Sequence, residues 1–182
     1  MTLIGIDVGW SENRPTCGIA VANPDLPLPD HNRRTLDTDG GRIRARRFRK
    51  SELVKVFIGW SHQHPHHLAN AVIVIDGPIG PEGPPRADRI VDWQCATGPF
   101  HGWAQPTPIT HPSSKDFINA TYELLDALGP WEVRIPGKVP RPGITVIETN
   151  PTVALALMMP HVPLDQIASR KRPLLHDGEL IG

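Results

Sequence analysis

Three acidic residues of the chain each stand at the end of a short, mostly aliphatic segment. They are Asp7, Asp76 and Glu148, and each segment has the length of one buried strand. Open α/β sheets bind their ligands at the carboxyl ends of the strands. A carboxylate in such a place costs free energy of burial unless it is paired, and a divalent cation is the usual partner of several carboxylates. The pattern therefore predicts a carboxylate–metal site at one edge of a sheet.

The ions that such a cluster favours are Mg²⁺ or Mn²⁺, because both prefer hard oxygen ligands. Two of these ions about 3.5–4 Å apart can hold a phosphodiester, one activating the attacking water and the other stabilising the leaving oxygen. We expect Asp7 to bridge the ions, since it lies on the first and, by prediction, central strand. Gly9 and Gly77 follow the two aspartates and would let a metal or phosphate approach the backbone. As an alternative, each acid simply ends a strand at a turn.

The charged residues are balanced in number but uneven in distribution. With 19 Lys and Arg against 19 Asp and Glu, the formal net charge is zero and does not by itself indicate a nucleic-acid partner. Arginines are concentrated between residues 33 and 50, and Arg42, Arg44 and Arg46 would share one face of a strand. This row could contact the backbone of a polyanion. It could equally be the solvated face of an edge strand that is protected from aggregation.

The elements that must position these residues follow from hydrophobic periodicity and from Pro and Gly signals. Strands are predicted at 2–7, 16–22, 42–48, 71–76 and 144–148, and helices from Ser51 to the histidine-rich stretch 62–67, at 115–128 and at 152–159. Ser51 and the pair Ser113–Ser114 are the expected N-caps. The proline-rich segment 23–38 is expected to be a loop. Residues 1–182 should form a single domain with an irregular insertion at 77–112, a short helix at 87–95 within it, and a polar tail at 160–182.

The order of the predicted elements indicates the fold class. Three early strands with short links favour an antiparallel meander, and later strands that alternate with helices favour parallel pairing. Composition and periodicity alone predict only an α/β fold in one domain, and the order of the elements adds a mixed sheet with antiparallel first three strands and helices packed on it. The same order of elements is that of a ribonuclease H-like fold.

Several other classes of site and of protein have no support in the sequence. No segment approaches the roughly 18 apolar residues that span a membrane, and no basic region precedes the first strand as in a secretory signal. No Gly-x-x-x-x-Gly-Lys-Ser/Thr loop indicates a P-loop nucleotidase. The stretch 62–67 lacks zinc-ligand spacing and is typical of a polar helix end. Cys17 and Cys95 form no disulfide or catalytic motif, so a cytoplasmic protein with reduced thiols is expected.

Five short segments of the chain, taken in order, resemble those of a known family. They are Gly5-Ile6-Asp7, Ile75-Asp76-Gly77-Pro78-Ile79-Gly80, Arg86-Ala87-Asp88-Arg89, Val146-Ile147-Glu148-Thr149-Asn150-Pro151 and Ser169-Arg170-Lys171-Arg172. The series is similar to that of domain-of-unknown-function family 429, a group of predicted nucleases with a ribonuclease H-like fold. In that family a first-strand Asp is followed by an Asp-x-Pro-Ile/Leu-Gly segment, an Arg-x-x-Asp-like segment, a Glu-x-x-Pro strand end and a Lys-rich segment.

The resemblance implies a set of site residues. Asp7, Asp76 and Glu148 would be the acidic residues that hold Mg²⁺ or Mn²⁺. Arg86, Asp88 and Lys171 would line the site, where Arg86 and Lys171 would position a phosphate. A lysine in such a site could also neutralise phosphate charge or orient the attacking water. Without the resemblance, Arg170-Lys171-Arg172 would fit a solvated basic turn better than a site.

The leading hypothesis from the sequence is a metal-dependent nuclease or phosphodiesterase whose partner is a nucleic acid or another phosphate ester. A second hypothesis is a single-lobe relative of actin-like ATPases and sugar kinases, whose first phosphate loop Gly5-Ile6-Asp7-Val8-Gly9 resembles. A third is a non-catalytic interaction module with a partner surface at Trp93, Phe100 and Trp103. The three differ in whether the chain cleaves a phosphodiester, binds a nucleotide or does neither.

Overall fold

The fold is taken from a computed structural model of the chain. The structure describes residues 2–9, 14, 16–22, 34–38, 41–79, 89, 97, 109–134, 142–158, 160–163 and 165. For residues 34–38 and 41–48 the description is of the backbone and its pairing. All statements below concern this part of the chain.

Seven strands and four helices make up the described elements. The strands are β1 (Thr2–Asp7), β2 (Cys17–Val21), β3 (Arg34–Thr38), β4 (Gly41–Phe48), β5 (Ala71–Asp76), β6 (Trp131–Val133) and β7 (Ile144–Glu148). The helices are α1 (Lys50–Gln63), α2 (Pro65–Leu68), α3 (Pro112–Asp126) and α4 (Pro151–Met158).

All seven strands belong to one mixed sheet with the order β3-β4-β2-β1-β5-β7-β6. The strands β3, β4, β2 and β1 pair antiparallel, whereas β1, β5, β7 and β6 pair parallel. The first strand is therefore the central one, where the antiparallel and parallel halves of the sheet meet. This arrangement confirms the predicted α/β class, the mixed sheet and the antiparallel beginning.

One face of the sheet carries the hydrophobic core. Side chains alternate between the faces of a strand, and paired residues of neighbouring strands share a face. Ile4 pairs with Ile73, and Ile6 pairs with Ile75, and all four side chains are buried. Residues of α1 and α3 complete the same cluster, including Leu53, Phe57, Trp60, Phe117, Leu124 and Leu125. The two helices therefore cover this face, which we call the helix face.

The opposite face is only partly covered, and we call it the open face. It carries Leu3, which is 44% exposed, and Gly5, which is half-buried. On β2 the residues in this face are Gly18 and Ala20, both half-buried. Small or absent side chains on three of these positions leave a shallow floor that solvent reaches.

The strand predictions at 2–7, 71–76 and 144–148 agree with the structure, and the prediction at 16–22 holds with one residue removed from each end. The expected loop at 23–38 is wrong at its end, because residues 34–38 form β3 and pair antiparallel with β4. Thr38 pairs with Gly41, so only Asp39 and Gly40 connect the two strands. An Asp-Gly pair between two strand-like segments is a strong hairpin signal that the sequence interpretation did not use. The strand β6 was also missed, since three residues give too short a pattern.

The predicted N-caps are wrong, although the helices themselves are confirmed. Arg49 rather than Ser51 precedes α1, and the carboxylate of Glu52 accepts a hydrogen bond from the Arg49 backbone N–H at 2.9 Å. His111 precedes α3, where its Nδ1 accepts from the Ser113 N–H at 3.2 Å. A helix needs an acceptor for its first N–H groups, and here a glutamate and a histidine supply it in place of serine.

The predicted insertion at 77–112 and the tail at 160–182 lie mostly outside the described residues, as does the predicted helix at 87–95. The irregular insertion, the polar tail and the helix within the insertion therefore stay predictions, as does the assignment of residues 1–182 to a single domain. Among the helices that the structure describes, none has the length and hydropathy needed to cross a bilayer.

Gly77 lies where the sheet meets α3 with no room for a side chain. A Cβ at this position would stand 2.6 Å from the Thr121 hydroxyl oxygen and 3.2 Å from its methyl carbon. Thr121 cannot swing away easily, because it is fully buried and its hydroxyl donates to the Phe117 carbonyl at 2.9 Å.

Replacing Gly77 with alanine should therefore lower the free energy of unfolding by about 1–3 kcal/mol, the usual cost of overpacking. Urea denaturation measures this. In a Thr121→Ala background the same change should cost less, because the clashing atoms are gone. Gly59→Ala is the matched control: its Cβ would meet nothing within 4 Å on α1, and alanine in a helix should gain about 0.8–1 kcal/mol. An equal cost of Gly77→Ala in both Thr121 backgrounds would contradict the packing argument.

Candidate metal centre

Asp7 and Asp76 lie side by side on the two central strands. Each is the last residue of its strand, and the parallel pairing of β1 with β5 places them directly opposite each other. Neighbouring strands are about 4.8 Å apart, and paired residues send their side chains to the same face. Both side chains are half-buried and belong to the open face. The structure thus brings together two of the three predicted metal ligands.

Glu148 does not join this pair. Its partner on β5 is Ile75, one residue before Asp76. Ile75 belongs to the helix face, so Glu148 begins on that face and the two aspartates on the other. The prediction that three acids form one cluster is therefore corrected to a pair of acids plus a separate glutamate. The physical reason is the register of β7, which is offset by one residue from the position that would align all three.

The carboxylate of Glu148 is instead occupied by Arg89 and by the backbone of Ile79. Its Oε1 accepts from Arg89 Nη2 at 2.6 Å, and its Oε2 accepts from Arg89 Nη1 at 2.6 Å. Oε2 also accepts from the Ile79 N–H at 3.0 Å, while Arg89 Nη1 donates to the Ile79 carbonyl at 3.1 Å. We call this arrangement of Ile79, Arg89 and Glu148 the Ile79 clamp. A guanidinium in such two-point contact leaves little of the carboxylate for a metal ion.

Arg89 is the functional candidate that the sequence interpretation missed. It stood within the segment Arg86-Ala87-Asp88-Arg89, where Arg86 and Asp88 were chosen from the family resemblance. Its partner is 59 residues away, so no local spacing could reveal the contact. The available signal was weaker: a glutamate at a strand end requires a cation or donors, and arginine provides both.

The glycines after the two aspartates are required by packing. A Cβ on Gly9 would overlap the Thr16 hydroxyl oxygen and stand 2.7 Å from the Thr16 carbonyl carbon, and one on Gly77 would clash with Thr121. The Gly9 N–H donates to the sulfur of Cys17 at 3.2 Å, which further ties this turn to β2. These contacts explain both glycines without a ligand, and the approach of a metal or phosphate to their backbone stays a prediction.

Two hydrogen bonds fix the connection from β7 to α4, which begins beside the acid pair. The Thr149 N–H donates to the Ile75 carbonyl at 2.9 Å, which extends the pairing of β5 with β7 by one bond. The Asn150 side chain then accepts from the Val153 N–H at 3.3 Å and so caps α4. Pro151 occupies the first helical position, where its missing N–H has no cost. The motif Glu148-Thr149-Asn150-Pro151 is thus a strand end joined to a helix start.

The remaining predicted site residues divide into two groups. Arg86, Asp88 and Lys171 lie outside the described residues. Arg42, Arg44 and Arg46 lie on β4, whose register with β2 places Arg46 opposite Ile19 and Arg44 opposite Val21. Both partners are buried on the helix face, so these register positions do not belong to the row of the aspartates.

Position 47 does belong to that row. Arg47 pairs with Gly18, and Gly18 pairs with Asp7. Asp76, Asp7, Gly18 and Arg47 therefore form one line across four neighbouring strands. The alternate positions Arg42, Arg44 and Arg46 were predicted instead, because the local sequence does not show which of the two alternating sets of positions on β4 is aligned with Asp7.

The histidine-rich stretch contains the predicted helix end, since α1 ends at Gln63 with His64 as its C-cap. The short helix α2 that begins at Pro65 was not predicted, and its His66 and His67 rings lie 4.0 Å apart between centroids. Within the described ranges, no group of three or more His, Cys, Asp or Glu is placed to hold a metal ion. A cation site at the ends of β1 and β5 would therefore have at most two carboxylate ligands from the described residues, with water or substrate completing its coordination.

A separate groove of about 450 Å³ lies between the start of α1 and the middle of α3. Its lining is of mixed charge and includes Lys50, Lys55, Asp116 and Glu123. None of the predicted site residues lines it. The groove is a feature of the helix pair rather than of the strand ends.

Comparison of the chain with protein-family models, with curated proteins and with solved structures finds no significant match in any of the three. The arrangement must therefore be interpreted from its chemistry. Two carboxylates on one face supply hard, anionic oxygen atoms, and Mg²⁺ is commonly held by one or two carboxylates together with water and substrate phosphates. The residues present fit such an ion without a third protein carboxylate.

The closeness of Asp7 and Asp76 can be measured through their mutual repulsion in the absence of metal. Like charges directly opposite each other on neighbouring strands are destabilising by about 0.2–1 kcal/mol. In EDTA, the gain in free energy of unfolding of the double variant Asp7→Asn/Asp76→Asn should therefore be smaller than the sum for the two single variants by about this amount. The reason is that either single change already removes the repulsion.

Chemical denaturation of the four proteins in this cycle gives the coupling free energy directly. The cycle also cancels the effect of any other contact that either aspartate makes alone. Asp126, exposed on α3, provides the control: Asp7→Asn and Asp126→Asn should add within about 0.3–0.5 kcal/mol. Additive effects of the Asp7 and Asp76 changes would show that the two carboxylates do not interact.

Proposed function

We propose that the chain is a ribonuclease H-like member of domain-of-unknown-function family 429. The strand order supports this proposal. The strands β4, β2 and β1 form an antiparallel meander, and β5 and β7 continue the sheet in parallel from β1. This is the arrangement expected from the order of elements in that fold, with the short strands β3 and β6 added at the two edges.

We further propose that the protein is a divalent-metal-dependent hydrolase of phosphodiesters. The observation that carries the proposal is the register of Asp7 with Asp76 at the carboxyl ends of the two central strands. Open α/β sheets bind ligands at this edge, and the point where strand connections change direction is the preferred place. Here β1 is that point, since β2 pairs on one side of it and β5 on the other.

The two aspartates would hold Mg²⁺ or Mn²⁺ on the open face. When bound, such an ion supplies charge stabilisation to a phosphoryl oxygen and lowers the pKa of a coordinated water. The role of Asp7 and Asp76 is to fix the position of that charge relative to the sheet. Glu148 is excluded from the ligand set in this proposal, because Arg89 and Ile79 already occupy both of its oxygen atoms.

The substrate class follows from the surface beside the acids. Gly5, Gly18 and Ala20 are half-buried and carry little or no side chain next to Asp7, so no side chain of these three residues would obstruct a chain of phosphates on the open face. Position 47, in the same row as Asp7, adds a cation suited to a phosphate oxygen. We therefore propose a nucleic acid as the substrate, with backbone contact from Arg47 in place of the sequence-predicted Arg42, Arg44 and Arg46, whose positions belong to the other row of the sheet.

The proposed location is the cytoplasm, where thiols stay reduced. The sulfur of the buried Cys17 accepts a hydrogen bond from the Gly9 N–H. Arg86 and Lys171 remain further candidates for phosphate contact, and Asp88 for lining the site, on the strength of the resemblance alone.

Asp7→Asn should reduce metal-dependent cleavage to the metal-free background while the fold is kept. Asparagine retains the size of the side chain but loses the charge that holds the cation. Cleavage of supercoiled plasmid, single-stranded RNA and bis(p-nitrophenyl) phosphate in Mn²⁺, each against an EDTA blank, provides the measurement. Asp126→Asn, at an exposed carboxylate of α3, is the matched control and should cleave normally. Undiminished cleavage by Asp7→Asn would refute the assignment, and tight ATP binding without cleavage would favour an actin-like nucleotide site.

Arg47→Ala should weaken binding of a single-stranded oligonucleotide and lower the dependence of log affinity on log salt by about one, the loss expected for a single phosphate contact. Arg46→Ala is an adjacent control of identical chemistry, because its position belongs to the other row of the sheet. Fluorescence anisotropy in EDTA at several salt concentrations separates the two variants. Equal losses for both would show that the arginines act only as a diffuse basic surface.

A further inference from the structure

The Ile79 clamp lies next to the candidate metal centre without belonging to it. Ile79 follows Asp76 by three residues, and Glu148 ends the strand that pairs with β5. Three hydrogen bonds end on the two carboxylate oxygens of Glu148, and a fourth runs from Arg89 to the Ile79 carbonyl. The clamp thus satisfies both backbone groups of Ile79 with side-chain atoms.

The geometry of the clamp is specific, although its exposure limits its contribution to stability. Arg89 and Glu148 meet in the two-point arrangement that gives the strongest directional preference among ion pairs. Their side chains are 22% and 30% exposed, so water and salt weaken the attraction between them. What the clamp provides is a defined position for the Ile79 backbone rather than a large stabilisation of the fold.

The backbone that carries Asp76 is held on both sides. Before Asp76, β5 pairs with β1 and β7 along its length. After it, Gly77 packs against Thr121, and the buried Ile79 is fixed by Arg89 and Glu148. Without the clamp, this second anchor would rest on packing alone. Small rotations of the backbone at residues 77–79 would then move the Asp76 carboxylate relative to Asp7.

We propose that Arg89 is a positioning residue of the candidate metal centre, acting through Glu148 and the Ile79 backbone to hold Asp76 in place beside Asp7. The inference rests on the proposed function of the aspartate pair. It assigns to Glu148 the role of a carboxylate that orients the site without binding the cation. Residues that orient metal ligands from outside the coordination shell commonly change metal affinity by about 10–100-fold when they are replaced.

The test compares Mn²⁺ affinity across conservative variants of the clamp. Arg89→Lys keeps the charge but loses the two-point fork, and Glu148→Gln keeps the shape but loses one acceptor and the charge. Either change should weaken Mn²⁺ binding about tenfold, the lower end of the range for residues outside the coordination shell. Titration calorimetry and the electron paramagnetic resonance signal of free Mn²⁺ measure the affinity. Arg134→Lys and Glu132→Gln are matched controls, because both residues are exposed around the edge strand β6 and should bind Mn²⁺ like the original protein.

A second readout reports the clamp without reference to metal. In metal-free protein, hydrogen exchange of the Ile79 amide should accelerate in Arg89→Lys and Glu148→Gln, since its acceptor is weakened or less well held. The exchange of amides in the middle of β5 should stay unchanged. If the Ile79 amide exchanges at the original rate in both variants, the clamp does not fix this backbone and the inference is wrong.

A charge-reversed pair separates positioning from simple ion pairing. Arg89→Glu with Glu148→Arg restores opposite charges, yet arginine at 148 cannot accept from the Ile79 N–H and glutamate at 89 cannot donate to its carbonyl. The double variant should regain melting temperature relative to either single reversal while Mn²⁺ binding stays about tenfold weak. Recovery of full Mn²⁺ affinity in the double variant while its Ile79 amide still exchanges fast would overturn the role of the Ile79 backbone, because the ion pair alone would then suffice.

The Asp7→Asn variant distinguishes failure of this inference from failure of the proposed function. If Asp7→Asn loses Mn²⁺ binding while Arg89→Lys binds like Arg134→Lys, the metal centre stands and the positioning role falls. If Asp7→Asn binds Mn²⁺ as tightly as the original protein, the metal centre itself is wrong and the positioning role falls with it.

Discussion

The parallel pairing of β1 with β5 sets both the hydrophobic core and the position of the acid pair. It joins the antiparallel and parallel halves of the sheet, and it aligns Ile4 with Ile73 and Ile6 with Ile75 under α1 and α3. A slip of one residue would move every side chain of a strand to the other face. The same register that completes the hydrophobic core therefore also sets Asp7 beside Asp76.

Magnitudes show which effect determines this register. Burial of an isoleucine side chain contributes about 1.5–3 kcal/mol, and β1 and β5 together bury four of them. The repulsion between two opposite carboxylates is about 0.2–1 kcal/mol. Burial exceeds repulsion by a wide margin, so the core can hold two acids together that would otherwise separate.

Much of the fold was accessible from the sequence, because strands of aliphatic residues and amphipathic helices have distinct periodicities. The strands that carry Asp7, Asp76 and Glu148 were all predicted correctly. Their grouping into one cluster failed for Glu148, since the face of a residue in a strand depends on register, and the register of β7 is set by packing rather than by local pattern. A shift of β7 by a single residue would have placed Glu148 in the row of the two aspartates instead of on the other face.

The errors near the site share a second cause, which is distance along the chain. Arg89 contacts Glu148 across 59 residues. Arg47 is aligned with Asp7 only through Gly18, which pairs with both. Neither relation can be read from the spacing of neighbouring residues in the sequence. By contrast, the missed hairpin of β3 with β4 had a local signal in Asp39 and Gly40, and that error belongs to the interpretation rather than to the limits of a single sequence.

The position of Glu148 follows from what the backbone requires at the end of β5. Buried backbone N–H and carbonyl groups need partners, and the last bond of the β5–β7 ladder is the one from Thr149 to Ile75. Ile79 lies beyond that ladder with its side chain buried, so its N–H and carbonyl require side-chain partners. A carboxylate that accepts and a guanidinium that donates, each also satisfying the other, meet this need together. The acid at the end of β7, Glu148, is thus explained by the hydrogen bonds that Ile79 and Arg89 need. The acids at the ends of β1 and β5 lie opposite each other, and only this pair offers a cation two carboxylates.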